Sequence, residues 1–235
     1  SVEIYALPGS LLSGNQQYRA NVGADFFNNI FDPETSKSIE AGVKFTALRG
    51  ALTGTLAVYQ LTKDNVLASD NDNPGFSVAI GKARSRGVEL DVNGHLPGDI
   101  DILISYAYTD AEAREAVNDP NFAAQILPGD KLIDIPDHNL NIQVAKHFEW
   151  AGRGAQLGAG MQYVGKRLGE TGTDFTLPSH LLVRLFGSAD VIDGVELFGT
   201  VSNLFDVAWY ASSYSSVWVQ PGTPRTATIG LRARF

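Results

Sequence analysis

The 235-residue chain has no cysteine. Neither a disulfide framework nor a thiolate metal site is available to it. It also has no run of 18 or more apolar residues, which excludes a transmembrane helix. A membrane protein built of strands is not excluded, because side chains that alternate between lipid and water average out over any window. Basic residues are outnumbered 18 to 26, and a net charge of −8 argues against nucleic acid as a partner. The histidines (His95, His138, His147, His180) are scattered, and none shows metal-ligand spacing or a nucleophile partner in sequence. Glycine (24), phenylalanine (12) and tyrosine (8) are abundant, which suits closely paired strands ending in aromatic girdles.

Taken in order, the pattern predicts ten strands. The first covers 2–7 and leads into a loop to about residue 32, with Tyr18, Phe26, Phe27 and Phe31. The second sets Ile39, Ala41, Val43 and Phe45 against Glu40, Gly42, Lys44 and Thr46. Arg49-Gly50 turns it into a third strand, 51–63, which is apolar on both faces and has no assignable orientation. A loop over 64–76 follows. The fourth strand sets Val88, Leu90 and Val92 against Glu89, Asp91, Asn93 and His95, and Pro97-Gly98-Asp99 is the next turn. The fifth has Ile102, Ile104, Tyr106 and Tyr108 on one face. A long loop, 111–136, is expected to hold a helical turn over 112–118.

Strand six sets Leu140, Ile142 and Val144 against Asn139, Asn141 and Gln143. Gly152-Arg153-Gly154 reverses it into strand seven, with Leu157, Ala159, Met161 and Tyr163. A loop over 169–178 precedes strand eight, where Leu181, Val183 and Leu185 oppose Arg184, Phe186 and Ser188. After Ile192-Asp193-Gly194, strand nine runs from Val195 to Phe205, and a loop over 206–224 delivers the last strand. There Ala227, Ile229, Leu231, Ala233 and Phe235 alternate with Thr226, Thr228, Gly230, Arg232 and Arg234.

Short and long connections alternate strictly, with the short turns near residues 50, 98, 153 and 193. Short turns on one rim and long loops on the other describe an antiparallel transmembrane β-barrel with periplasmic turns and extracellular loops. The fold class is therefore all-β. The terminal strand ending in Phe235 resembles the C-terminal signal of bacterial outer-membrane barrels, which the barrel-assembly machinery reads.

Six stretches carry a closer resemblance. They are Asp32-Pro33-Glu34-Thr35-Ser36-Lys37-Ser38-Ile39-Glu40-Ala41-Gly42-Val43-Lys44; Ala57-Val58-Tyr59 with Lys63-Asp64-Asn65-Val66; and Arg84-Ser85-Arg86-Gly87-Val88-Glu89-Leu90-Asp91. Then come Ser105-Tyr106-Ala107-Tyr108-Thr109-Asp110-Ala111; Val201-Ser202-Asn203-Leu204-Phe205-Asp206; and Pro221-Gly222-Thr223-Pro224-Arg225-Thr226. In this order they resemble the C-terminal part of a TonB-dependent outer-membrane receptor of the ferric-siderophore type. The resemblance implies ten strands of a 22-stranded barrel, residues 1–235 being its C-terminal portion without the plug domain. It implies no cofactor, only a ferric siderophore as transported ligand. Its implied partners are the TonB complex (through an N-terminal part), the receptor's own plug, the barrel-assembly machinery, and outer-membrane lipid and lipopolysaccharide. Ser1 is expected to be internal to a longer precursor.

Site residues follow from the same placement. Glu40, Glu89, Asp91, Arg184, Arg232 and Arg234 share the inward parity, with Lys44, Glu149 and Glu196. A watery lumen would solvate them; the resemblance favours contact with a plug. Trp209, Tyr210, Tyr214 and Trp218 form the densest aromatic cluster, for which ligand contact competes with an interfacial girdle at Trp209. Arg84 and Arg86 share parity with outward Val88 and Leu90, at the height of lipopolysaccharide phosphates, unless a bulge at Gly87 reverses them. Lys63, Lys82, Lys166 and Arg167 gather at the same strand ends. Asp134, Asp137 and His138 caricature the rim carboxylate–histidine arrangement of barrel proteases, although acidic loops alone explain them. The runner-up reading is a self-contained ten-stranded barrel acting as a hydrolase or adhesin. Deleting Phe235 from the full-length protein should lower outer-membrane yield, read by quantitative blotting, far more than it lowers unfolding temperature; unchanged insertion would refute the assembly role.

Overall fold

Period-two alternation becomes a ten-stranded antiparallel sheet in the computed structural model, which describes residues 2–12, 34–69, 77–119 and 124–234. Phe235 and the loop aromatics Tyr18, Phe26, Phe27 and Phe31 lie outside the described residues. The strands are β1 (Val2–Leu12), β2 (Thr35–Ala47), β3 (Leu52–Ser69), β4 (Ser77–Leu96), β5 (Ile100–Ala113), β6 (His138–Trp150), β7 (Arg153–Val164), β8 (His180–Ile192), β9 (Val195–Ser202) and β10 (Thr226–Ala233). Each pairs with its neighbours in sequence, in the order β1 to β10. Among the described residues the edge strands β1 and β10 each pair on one side only, whereas the runner-up small barrel requires them to pair with each other.

Register settles which residues share a face, because directly opposed residues point the same way. Val43, Leu56, Leu90, Tyr106, Leu140, Tyr163 and Leu181 are successive partners from β2 to β8. The next outer row is Phe45, Gly54, Val92, Ile104, Ile142, Met161 and Val183. Between them runs a polar row on the opposite face: Lys44, Thr55, Asp91, Ser105, Asn141, Gln162 and Leu182. The ambiguous third strand is thereby oriented. Its Leu56 and Val58 join the apolar face, and Ala57 and Tyr59 the polar one.

The apolar face covers no internal core. Ile229 and Leu231 are 77% and 68% exposed, and the buried apolar residues among those described are four alanines and Leu177. A face of this extent needs a bilayer against it.

Short turns match the expected positions. Trp150 pairs with Arg153, leaving the two-residue turn Ala151-Gly152, both with positive φ (54° and 72°). That geometry continues the right-handed twist of the strands, and glycine adopts it without the Cβ penalty. Elsewhere the boundaries move. β3 and β4 extend their hairpin through Ser69 and Ser77, into the expected loop, with an irregularity at Asn65 (φ 60°). The helical turn expected over 112–118 is absent; β5 continues to Ala113, and Val117–Asp119 pairs with Ala124–Ile126. Extended backbone wins there because Ala113 and Arg114 N–H groups reach Asp130 and Lys82 carbonyls at 2.8 and 2.7 Å. Strand nine stops at Ser202 rather than Phe205, since Asn203 takes φ 49°.

Three of the resembling stretches meet on the polar face. Tyr59, Gly87 and Thr109 are cross-strand partners on β3, β4 and β5. A Cβ on Gly87 would lie 2.8 Å from the Tyr59 ring, so glycine lets that ring cross β4. The Tyr59 hydroxyl then hydrogen-bonds Thr109 Oγ1 (3.3 Å) and Ser85 Oγ (3.4 Å).

A Leu231→Arg change tests the orientation. In the full-length protein it should cost about 2–4 kcal/mol if this position lies near the bilayer midplane, measured by urea unfolding in bilayers. A neutral result would contradict a lipid-facing Leu231.

Candidate functional site

Three long connections converge at one rim: 114–137, 165–179 and 203–225. The second carries the ribbon Arg167–Leu168 with Thr176–Leu177, and the third a hairpin of Tyr210–Ser215 with Trp218–Pro221. Leu177, 1% exposed, gives the ribbon a small core of its own.

Arg167 sits where the three meet, its side chain 4% exposed. Its Nε lies 3.3 Å from Asp134 Oδ1, and its Nη2 donates to the Tyr210 and Ala211 carbonyls at 2.9 Å each. Asp134 Oδ2 accepts the Ser213 N–H at 3.1 Å, and Ser213 Oγ donates to the Gly169 carbonyl at 2.6 Å. Glu170 Oε2 accepts the Ser216 N–H at 2.9 Å. A buried cation held by a carboxylate and two carbonyls thus ties the hairpin to both neighbouring loops. Sequence reasoning missed it: Arg167 reads as one more rim cation, and nothing in its spacing points to Asp134.

The aromatic cluster divides. Trp209 packs on His180, ring centroids 4.7 Å apart, and its Nε1 donates to the Thr223 carbonyl at 3.0 Å. His180 pairs with Val164, in register with the polar face, so Trp209 lies over the lumen side and not in a lipid girdle. Tyr210, Tyr214 and Trp218 are exposed on the hairpin, Trp218 by 74%. The Asn203-Leu204-Phe205-Asp206 stretch is the turn that launches this connection. Buried Asn203 donates to the Val207 carbonyl (2.9 Å) and accepts the Val207 N–H (2.9 Å), while Asp206 accepts the Arg225 N–H (2.8 Å).

Register between β4 and β5 is unbroken at Gly87, so Arg84 and Arg86 keep the outward parity of Val88 and Leu90. Both are already paired: Arg84 Nη2 lies 2.5 Å from Glu112 Oε1, and Arg86 Nε 2.9 Å from Asp110 Oδ2. Lys131 bridges Asp110 and Asp137 at 2.8 Å each. Burial opposes its charge, but the hydrogen bonds it donates to both carboxylates, with their negative charge, outweigh burial and hold its pKa above the usual lysine value.

On the lumen side, Glu40 lies on β2 and Glu89 and Asp91 on β4, with three strands between β4 and Arg184 on β8. Arg184 donates to Gln143 Oε1 and lies 5.2 Å over the Phe186 ring. Arg232 pairs with Glu196 at 2.8 Å, and Arg234 reaches the same carboxylate at 3.6 Å.

Asp134, Asp137 and His138 do not assemble. Asp134 holds Arg167, Asp137 holds Lys131, and His138 Nδ1 hydrogen-bonds the Tyr106 hydroxyl at 2.9 Å. Two histidines that look unrelated in sequence do meet: Asp101 lies 2.7 Å from both His95 Nδ1 and His147 Nε2, beside the short turns. Cross-strand pairing of His95 with Asp101 produces this contact, invisible without the register. No group of three or more such side chains is placed to hold a metal ion among the described residues.

Asn203→Ala should remove the side-chain bonds at the head of the third connection, at a cost of about 2–3 kcal/mol. Thermal unfolding of the full-length protein would register it; an unchanged midpoint would mean water replaces the amide.

The comparisons with known proteins agree with one another. A profile described as TonB dependent receptor-like, β-barrel, matches residues 4–204. A metal-pseudopaline receptor, CntO of Pseudomonas aeruginosa, is 36% identical over 230 residues, 97% of this chain and 31% of that protein. The ferrichrome outer membrane transporter/phage receptor of Escherichia coli is 30% identical over 221 residues, 92% of this chain and 28% of its own. In fold, the crystal structure of the siderophore receptor PiuA from Acinetobacter baumannii superposes with a TM-score of 0.79 at 20% identity, covering 99% of this chain and 34% of that one. The chain therefore spans about a third of the length of the relatives it matches.

Proposed function

The chain belongs to the TonB-dependent receptor β-barrel family of the Gram-negative outer membrane, and from that premise we propose that it forms ten C-terminal strands of a receptor importing a metal chelate of the siderophore class. The observation that carries this reading is the aromatic hairpin, Tyr210, Tyr214 and Trp218, held by neighbouring loops beside the polar face. Exposed rings fixed on a braced hairpin suit a compact, partly apolar chelate better than a free ion, which would need a ligand cluster. Relatives named for metal–pseudopaline and ferrichrome, both complexed metals, support the substrate class.

The other partners follow from the two faces. Glu40, Glu89, Asp91 and Arg184 present a mixed-charge surface to a polar plug seated in the lumen. Such contacts are partly exposed and individually weak, so they suit a domain that must move. TonB would act through a segment beyond these ten strands, and β1 and β10 would pair with strands of the same receptor outside this chain. Arg84 gives its Nη2 to Glu112 and Arg86 its Nε to Asp110, so lipopolysaccharide would be met by the guanidinium hydrogens that remain, chiefly those of the more exposed Arg86.

The test is uptake of 55Fe-ferrichrome and of a metal–pseudopaline complex by cells whose only such receptor is the full-length protein. One complex should accumulate in a TonB-dependent manner, and Trp218→Ala should weaken its binding about tenfold, a loss of about 1.4 kcal/mol. Failure of both complexes with abundant surface receptor would reject the siderophore class as tested.

A further inference from the structure

We infer that Arg167 and Asp134 form a latch that positions the aromatic hairpin, and that ligand capture depends on the latch being closed. Arg167 is a positioning residue: its hydrogen bonds to the hairpin go to backbone carbonyls. Its Nη2 grips the Tyr210 and Ala211 carbonyls, while Asp134, held by Arg167 Nε, takes the Ser213 N–H from the third long connection. Glu170 and Gly169 clasp Ser216 and Ser213 from the second. Every strut ends on the first strand of the hairpin or on the turn that follows it, whose tip, Val217 and Trp218, is bare. Arginine suits the task because one planar fork reaches acceptors on two elements at fixed angles, which an ammonium on a flexible stem does not do.

The latch is incompletely satisfied. Arg167 Nη1 and His180 Nδ1 are both buried with no hydrogen-bond partner among the described residues. Each buried unpaired donor or acceptor costs stability, and a buried ion pair gains little beyond its desolvation. Opening the latch would return those groups to water, so the hairpin is held closed at a modest cost of release. This is what a loop admitting ligand at a rim requires, and it locates the gating equilibrium in three named loops.

The inference rests on the siderophore-receptor reading only for its second half, and hydrogen exchange separates the two. The full-length receptor in nanodiscs is compared with Asp134→Asn, which keeps side-chain volume, with Arg167→Met, and with Arg167→Lys. Exchange of the segment around Ser213 and Ser216 should accelerate about tenfold or more in the first two, with β8 and β9 unchanged. Arg167→Lys should fall between, since charge survives and the fork does not. Hairpin exchange at the wild-type rate in Asp134→Asn would overturn the latch, whether or not Arg167→Met inserts. For the second half the probe is ferrichrome. If an open latch leaves about a tenth of molecules competent, apparent affinity falls about tenfold with Trp218 intact. Full affinity despite faster exchange would overturn the dependence of capture on the latch. Absence of ferrichrome binding to wild type would count against the substrate reading and leave the exchange result standing.

Discussion

Everything in this chain depends on one constraint: a backbone crossing a bilayer must satisfy its N–H and C=O groups within the protein. Sheet pairing does so, and pairing fixes the side chains to a period of two. A strand with one face in hydrocarbon and one in a watery lumen must therefore alternate, and the cross-strand rows from Val43 to Leu181 and from Lys44 to Leu182 show this alternation maintained across seven strands. Unlike a soluble sandwich, the sheet places its large apolar residues outward and needs only small residues in its tightest contacts. Ala57, Ala111, Ala113 and Ala145 fill them.

The two rims are built under different rules. At the short-turn rim geometry dominates, since a turn of two to four residues leaves room for little but left-handed backbone, as at Ala151-Gly152 and Gly194. At the long-loop rim nothing forces a conformation, and order comes from side chains that bond to backbone. Asn203 adds two side-chain bonds to its turn's own backbone bond from Asp206, Asp134 and Glu170 cap hairpin N–H groups, and Arg167 takes two carbonyls. Such struts are local, polar and breakable, so this rim combines a defined shape with the capacity to rearrange.

That difference explains what was legible in the sequence. Strand count, order and facing followed from alternation, and the turns from glycine with its polar neighbours. The strand apolar on both faces could not be oriented by itself because Leu56 and Ala57 are equally greasy; only their partners Val43 and Gly42 decide. The extension of β3 and β4 was hidden because Asp64 and Asn65 read as loop, whereas a bulge absorbs them. Tertiary contacts left no periodic trace: Arg167 with Asp134 joins two long connections, and Asp101 on β5 joins His95 on β4 to His147 on β6. The same holds for Trp209, whose girdle alternative falls to a ring contact with His180.

The resembling stretches gain a physical meaning from these contacts. Tyr59, Gly87 and Thr109 are far apart in the chain, yet they form one row: glycine opens the space, tyrosine crosses it, and the threonine hydroxyl meets the phenol. One and three rows away toward the long loops, Arg86–Asp110 and Arg84–Glu112 close the outer face of the same strand pair with ion pairs. β4 and β5 are thus fastened on both faces, by a hydrogen-bonded ring toward the lumen and by charge pairs toward the rim. A strand pair fastened twice gives a stiff base to the connection that leaves β5 for β6, which carries Asp134 into the latch. The rigidity of the wall and the order of the hairpin are in this way linked through a single connection, 114–137, anchored at its base by Lys131 on Asp110.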